Sequence, residues 1–215
     1  PDGSFPMPGD PRRAAITIAD PGGQNAHLYA TGLRNAVGLG FNPDSGALWA
    51  SVNERDLLGD DLPPDYFTSV KPGGFYGWPY SYIGRHVDDR VQPQRPELVA
   101  KAIVPDVLLD AHVAPLQFQF YEARQFPAMY RRGAFLAEHG SWNRSSRQGY
   151  AVVFIPFKNG KPAGPATPFF QGFVPDPSQR GVYGRPVGVA VAADGSLLVS
   201  DDGAKNIWRI AYTGK

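Results

Sequence analysis

The sequence has 215 residues, a formal net charge of +1, and 42% hydrophobic and 19% charged residues. This composition indicates a globular chain with an apolar core, and the even mixture of basic and acidic residues excludes a nucleic-acid-binding stripe. The absence of cysteine excludes disulfides, cysteine zinc sites and a thiol nucleophile, and no apolar run is long enough to span a membrane.

The chain opens on Pro1-Asp2-Gly3, which we interpret as sequence from inside a longer protein. Glycine and proline are frequent, with 25 and 22 residues, and 13% of the residues are aromatic. Many turn-forming residues together with many aromatic ones favour an all-β chain over a helical one.

One pattern recurs along the chain: an alternating strand, an Asp/Gly turn and a second apolar strand. It occupies residues 37–51 and 187–200, and a looser copy occupies residues 114–137. A third strand follows the later copies, at residues 150–155 and 207–212. Repeated meanders of this kind are typical of β-propeller blades.

A blade takes roughly 40–50 residues, so the chain is predicted to supply about three blades. Residues 26–31 would add an outer strand of an earlier blade, and residues 56–67 a turn or two of helix. Propellers close into rings of about 4–8 blades, so the chain is either incomplete or pairs with another chain. A β-sandwich built from three hairpin sheets is the alternative.

Polar residues stand where the blade loops are expected. Arg34 and Asn35 precede the first repeat, and they either bind an anionic ligand or cap backbone carbonyls. The run from Asn53 to Asp56, with three further aspartates, suits a hard cation such as Ca²⁺ or is a solvated acidic turn. A third loop, after an apolar strand, carries His139, Asn143 and Arg144.

Three cationic or titratable residues precede the innermost strands of successive blades: Arg34, His112 and Arg185. A lone histidine or arginine is more often structural than functional. In a propeller, however, these positions converge on one end of the central channel. Together they predict a site for an anionic ligand.

Several motifs together resemble those of the sorbosone dehydrogenase family, which is related to soluble quinoprotein glucose dehydrogenases and bacterial aldose dehydrogenases. They are Gly32-Leu33-Arg34-Asn35, Asn53-Glu54-Arg55-Asp56, Gly73-Gly74-Phe75-Tyr76-Gly77-Trp78-Pro79-Tyr80, His139-Gly140-Ser141-Trp142-Asn143-Arg144, Gly184-Arg185-Pro186 and Asp194-Gly195-Ser196-Leu197-Leu198. The resemblance implies an all-β, six-bladed propeller, with residues 1–215 as the C-terminal three blades of a single domain and the N-terminal blades absent.

The resemblance also implies pyrroloquinoline quinone (PQQ) and Ca²⁺ as cofactors. Arg34 and Asn35 match the family's pair beside the quinone, and Arg34 would polarise the carbonyl that accepts hydride. Further quinone contacts are implied for Asn53, Asn143, Arg144 and Arg185. The carbonyls of Glu54 and Arg55 would ligate calcium, and His112 would line the sugar pocket.

The implied activity is oxidation of an aldose or related sugar, with an external electron acceptor and a periplasmic or secreted location. None of the four histidines matches the family's general base, which lies in an earlier blade, so this chain is expected to carry half a site. A propeller that binds glycans or proteins without catalysis, and a calcium-dependent lactonase, remain alternatives. The particular sugar and the oligomeric state stay open.

Overall fold

The computed structural model describes residues 10–214, so the opening segment Pro1-Asp2-Gly3 lies outside the described residues. Within this range the strands are β1 (Ala15–Ile18), β2 (His27–Thr31), β3 (Ala36–Phe41), β4 (Leu48–Val52), β5 (Pro64–Ser69), β6 (Gly74–Phe75), β7 (Ser81–Tyr82), β8 (His86–Val87), β9 (Val107–Ala111), β10 (Pro115–Tyr121), β11 (Gly133–Glu138), β12 (Ala151–Lys158), β13 (Lys161–Pro162), β14 (Thr167–Phe170), β15 (Pro186–Val191), β16 (Leu197–Asp201) and β17 (Asn206–Ile210). The helix α1 (Pro96–Val99) and a 3₁₀ turn at Ala128–Tyr130 complete the elements. None of the helices between residues 10 and 214 has the length and apolar character needed to cross a membrane.

Three antiparallel meanders follow one another along the chain. The first blade has the strand order β3-β4-β5-β9, and the third blade has the order β15-β16-β17. The second blade runs β10-β11-β12-β14, with β13 paired to the end of β12. The predicted repeat is therefore confirmed, because each of its copies forms the first two strands of one blade.

The innermost strands of the three blades lie side by side. Strand β10 packs beside β3 on one side and beside β15 on the other. The approach is close enough to require glycine, since a Cβ on Gly38 would lie 2.5 Å from the carbonyl oxygen of Leu116 in the next blade. The blades are therefore arranged as in a propeller, and the β-sandwich alternative is wrong.

Apolar side chains fill the space between neighbouring blades, because successive residues of a strand point to opposite faces of its sheet. Between the first and second blades, Phe67 of β5 packs on Phe118 of β10 with ring centroids 4.6 Å apart. Between the second and third blades, Phe135 and Phe154 pack with Val199. Each blade thus buries both faces only when its neighbours are present.

Strand β2, at the position of the predicted outer strand of an earlier blade, pairs antiparallel with β1 and parallel with β6, in a sheet separate from the three blades. The prediction of a short helix at residues 56–67 is wrong. Residues 56–67 contain no helix; they form a loop that leads into β5. Consecutive prolines at 63 and 64 explain this, because proline removes a helical hydrogen bond and restricts the residue before it.

Candidate functional site

The loops at one end of the inner strands carry most of the residues singled out in the sequence. Arg34 precedes β3, His112 precedes β10, and Arg185 directly precedes β15. Strands β4 and β11 run antiparallel to β3 and β10, so the loops that follow them reach the same end. We call this end the entrance face.

Three residues from three other loops of the entrance face meet at Asp56, and we call these four residues the Asp56 cluster. Arg34 Nη2 donates to Asp56 Oδ2 at 3.3 Å, and Asn143 Nδ2 donates to Asp56 Oδ1 at 2.7 Å. His112 Nδ1 lies 3.8 Å from the same oxygen. The side chains of Arg34 and Asp56 are 13% and 14% exposed, so their attraction is only partly screened by water.

The contacts of His112 fix the orientation of its ring. Its Nε2 lies 2.9 Å from the carbonyl oxygen of Gly59, which can only accept, so Nε2 carries a proton. Its Nδ1 lies 3.3 Å from Asn143 Nδ2. His112 also has a φ of 64°, in the left-handed region that side chains other than glycine rarely adopt. The chain therefore holds an oriented imidazole at this point.

Some polar atoms of the Asp56 cluster remain available to a ligand. Asn143 Oδ1 is buried and accepts no hydrogen bond from any residue between 10 and 214. In the same part of the chain, Arg34 donates a single side-chain hydrogen bond, to Asp56, which leaves further N–H groups of its guanidinium. A donor and an acceptor at one site can bind an oxygen-rich ligand such as a quinone or a sugar.

The two other asparagines predicted as ligand contacts differ in their surroundings. Asn53 is buried, and its Nδ2 donates to the carbonyl oxygen of Pro115 at 2.8 Å. This bond ties the first blade to the second. Asn35 accepts from the backbone N–H of Asn53 through its carbonyl oxygen, and its side chain makes no hydrogen bond within residues 10–214.

The two arginines predicted to contact the quinone, Arg144 and Arg185, donate to backbone carbonyl oxygens. Arg144 Nη1 donates to the carbonyl oxygen of Asp60, and its Nη2 lies 3.0 Å from Asp61 Oδ1. Arg185 Nε donates to the carbonyl oxygen of His139 at 3.2 Å, and its Nη2 to that of Gly140 at 3.1 Å. Both guanidiniums therefore position the loop that carries Asn143.

Arg55 is one of the largest fully buried side chains, and it organises the loop below the Asp56 cluster. Its guanidinium donates to Glu54 Oε2 at 3.1 Å, to Asp88 Oδ2 at 2.9 Å, and to the carbonyl oxygens of Pro79 and Ser81. Burial disfavours the Asp88 carboxylate, but hydrogen bonds from Arg90 and Arg55 outweigh it and hold the pKa of Asp88 at about 2.

The backbone of Glu54 and Arg55 is chemically suited to a calcium ion. Neither carbonyl oxygen accepts a hydrogen bond in the described part of the chain, and Glu54 Oε1 is buried without a partner. Burial raises the pKa of Glu54, although Arg55 opposes the effect. Carbonyl and carboxylate oxygens are the ligands that calcium prefers. No group of three or more His, Asp or Glu side chains within residues 10–214 could hold a metal by itself.

Sequence reasoning missed the roles of two carboxylates. Asp56 was grouped with the acidic loop, and nothing local indicates that it pairs with Arg34, which lies 22 residues earlier. Asp65 is buried and accepts from the backbone N–H groups of Glu54 and Ala114, at 2.7 and 2.8 Å. Burial raises the pKa of Asp65 to about 7, because desolvation outweighs these two hydrogen bonds. The sequence signal that could have revealed the role of Asp65 is a carboxylate within a strand of an apolar meander.

Comparison with known proteins gives two overlapping family matches. Residues 11–138 match the model described as "Glucose / Sorbosone dehydrogenase", and residues 95–213 match the model described as "TrAA12-like". An uncharacterized protein of Borreliella burgdorferi is 35% identical over 188 residues, which are 86% of this chain and 48% of that protein. The chain thus spans about half the length of that relative.

Two further matches concern Coprinopsis cinerea. A protein named "Pyrroloquinoline quinone-dependent pyranose dehydrogenase" is 32% identical over 127 residues, which are 52% of this chain and 17% of that protein. The structure titled as the holo form of a pyranose dehydrogenase PQQ domain superposes with a TM-score of 0.71 at 24% identity, covering 88% of this chain and 56% of that domain. The fold of the chain is therefore about three blades of a six-bladed β-propeller.

Proposed function

Because this chain belongs to the glucose and sorbosone dehydrogenase family, we propose that the protein containing it oxidises an aldose or a related sugar with PQQ. The observation that carries the proposal is the Asp56 cluster, which lies at the entrance face where the inner strands begin. The family match favours this class of reaction over a purely binding propeller and over a lactonase.

The quinone supplies, when bound, a two-electron acceptor for hydride from the sugar. Arg34 and Asn35 would hold it, and the free N–H groups of Arg34 would stabilise negative charge that develops on an oxygen. Asp56 orients Arg34 through the 3.3 Å ion pair. Asn143 offers its unpaired Oδ1 to a hydroxyl or amine hydrogen.

The remaining predicted residues take supporting roles in the proposal. His112 has both ring nitrogens in contact with neighbouring groups of the chain, and in the proposal it lines the sugar pocket. The general base comes from outside this chain. The carbonyls of Glu54 and Arg55 hold Ca²⁺. Asn53, Arg144 and Arg185 keep the loops around the quinone in place through their backbone contacts.

Exposed apolar side chains support the proposal that further blades, or a partner chain, close the ring. Val37, Leu39 and Phe41 lie on one face of β3 and are 45%, 51% and 71% exposed. At the opposite end of the row of three blades, Ile207 on β17 is 74% exposed. Apolar patches of this kind mark contact surfaces. We further propose that the protein works in the periplasm or outside the cell and passes electrons to an external acceptor.

The test uses the full-length protein reconstituted with PQQ and CaCl₂. Aldose oxidation is measured with a redox dye, and loading is measured separately from the quinone absorbance. We expect oxidation only when both cofactors are present. A fully loaded protein that oxidises no aldose would refute the proposed function.

Arg34→Lys tests the assigned site, because lysine keeps the charge but lacks the planar set of donors. We expect turnover to fall by ~10²–10³, as for the loss of one such donor. Quinone loading and the free energy of unfolding should change little, by about 1 kcal/mol at most. Arg12→Lys is the matched control, since Arg12 is exposed and its one ion pair among residues 10–214 is with Asp10. Wild-type turnover in a loaded Arg34→Lys protein would remove this residue from the site.

A further inference from the structure

A cavity lies between the outer parts of the first and second blades. Its volume is about 450 Å³, and Leu109 and Asp110 of β9 face Glu138 of β11 and Ala151 of β12 across it. No member of the Asp56 cluster lines this cavity. It is therefore separate from the site proposed for the quinone, and a ligand could occupy it whether or not the protein binds a quinone.

Glu138 is an unusual residue for this position. Ala134 and Leu136, on the same face of β11, belong to the apolar layer between the blades. Glu138 is 7% exposed, lines the cavity, and its carboxyl group makes no hydrogen bond within the described residues. A buried polar group without a partner costs free energy, and an apolar residue here would avoid that cost. The position therefore indicates a function other than packing.

The charges that face Glu138 are mostly negative. Burial raises the pKa of Glu138 to about 8, and the charges of Asp110 on β9 and Asp65 on β5 add to this effect. Arg147 also lines the cavity, but its Nη1 donates to the carbonyl oxygen of Ser141 at 2.6 Å. Gln148 donates to Asp110 rather than to Glu138. Arg147 is thus a cation of the cavity lining, but it forms no ion pair with Glu138.

We propose that this cavity binds a small organic cation with a protonated primary amine. The ammonium N–H groups would donate to Glu138 and Asp110, and the apolar part would contact Leu109, Ala151 and Val153. The size supports an organic ligand, because small-molecule sites have volumes of about 300–1,000 Å³, far more than a single metal ion needs. An ammonium group also supplies three donors, whereas the Glu138 carboxyl group receives none from the described residues and Asp110 receives one, from Gln148.

Binding must be coupled to loss of a proton. In the free protein Glu138 is largely protonated at neutral pH, and the ammonium group favours its ionised form. Glu138 releases its proton to the buffer, and the ligand keeps its ammonium protons. The new carboxylate charge is therefore balanced by the ammonium charge inside the cavity. Affinity should therefore rise with pH until Glu138 is ionised in the free protein, and the amine must stay protonated throughout.

The experiment is calorimetric titration of the full-length protein with n-butylammonium chloride, in buffers that differ in ionisation enthalpy. We expect release of about one proton for each bound ligand near pH 6.5 and almost none near pH 9.5. Tetramethylammonium, which has the charge but no N–H donor, should bind at least about tenfold more weakly, a loss of about 1.4 kcal/mol.

Two variants decide whether Glu138 is responsible. Glu138→Gln keeps the shape and removes the titrating group, and we expect it to weaken butylammonium binding at least about tenfold and to abolish proton release. Asp110→Asn should weaken binding as well, and it serves if Glu138→Gln does not fold. Glu122→Gln, at an exposed position, is the matched control. The proposal is overturned if butylammonium does not bind, or if Glu138→Gln binds it unchanged.

Discussion

Replacing Glu138 by glutamine should change how the stability of the protein depends on pH. The pKa of Glu138 is about 8 in the folded protein and 4.5 in its ordinary state, so the folded protein binds the proton more tightly. The proton therefore stabilises the folded state below about pH 4.5, and this contribution is lost as the pH rises through about 8. Glutamine at this position has no proton to lose.

The size of the effect follows from these two values. Each tenfold change in proton affinity is worth about 1.4 kcal/mol, so the change from 4.5 to about 8 corresponds to about 5 kcal/mol. We expect the free energy of unfolding of the wild type, relative to Glu138→Gln, to fall by roughly this amount between about pH 4.5 and 9. Titrating groups that lie far from Glu138 contribute equally to both proteins and cancel in the difference.

Urea denaturation of both full-length proteins, at pH intervals across this range, measures the difference. Glu122→Gln should give a curve parallel to that of the wild type, because Glu122 is exposed. Parallel curves for the wild type and Glu138→Gln would show that this carboxyl group titrates normally. The reasoning about its burial would then be wrong.

Two other substitutions test the framework below the Asp56 cluster. Arg55→Met leaves Glu54 without its cationic partner and the carbonyls of Pro79 and Ser81 without a donor. The free energy of unfolding should therefore fall by about 3–5 kcal/mol. Urea denaturation checks this, with the exposed Arg12→Met as control, and a loss below about 1 kcal/mol would contradict the buried network. Asp65→Asn removes one of the two oxygens that accept from the backbone N–H groups of Glu54 and Ala114. We expect the free energy of unfolding to fall by about 1–3 kcal/mol in the same assay. An unchanged urea midpoint would mean that these two N–H groups find other partners.

The sequence alone predicts the blade meanders well, for a local physical reason. Alternation of apolar residues with an Asp/Gly turn defines β3 with β4 and β15 with β16, and these strands are consecutive in the chain. The same pattern places Arg34 and Arg185 before inner strands, because position along the repeat sets position in the blade.

Contacts between distant segments could not be predicted in this way. Strand β2 pairs with β6 across more than 40 residues, and Asn53 bonds to Pro115 across 62 residues. The cavity beside Glu138 exists only because two blades leave a space between them. Such features depend on three-dimensional packing, which a residue pattern within one strand does not encode.

The bonds that join the first and second blades have a consequence for how such a protein can evolve. Ser51 and Asn53 donate to backbone carbonyls of β10, and Asp65 accepts from the N–H of Ala114 just before it. Blades that arise by duplication are interchangeable only while their contacts are generic. Here the first blade carries side chains fitted to one neighbour, so shuffling or deleting either blade would leave buried polar groups unmatched. A rearrangement that keeps these groups paired must therefore move the two blades as a single unit.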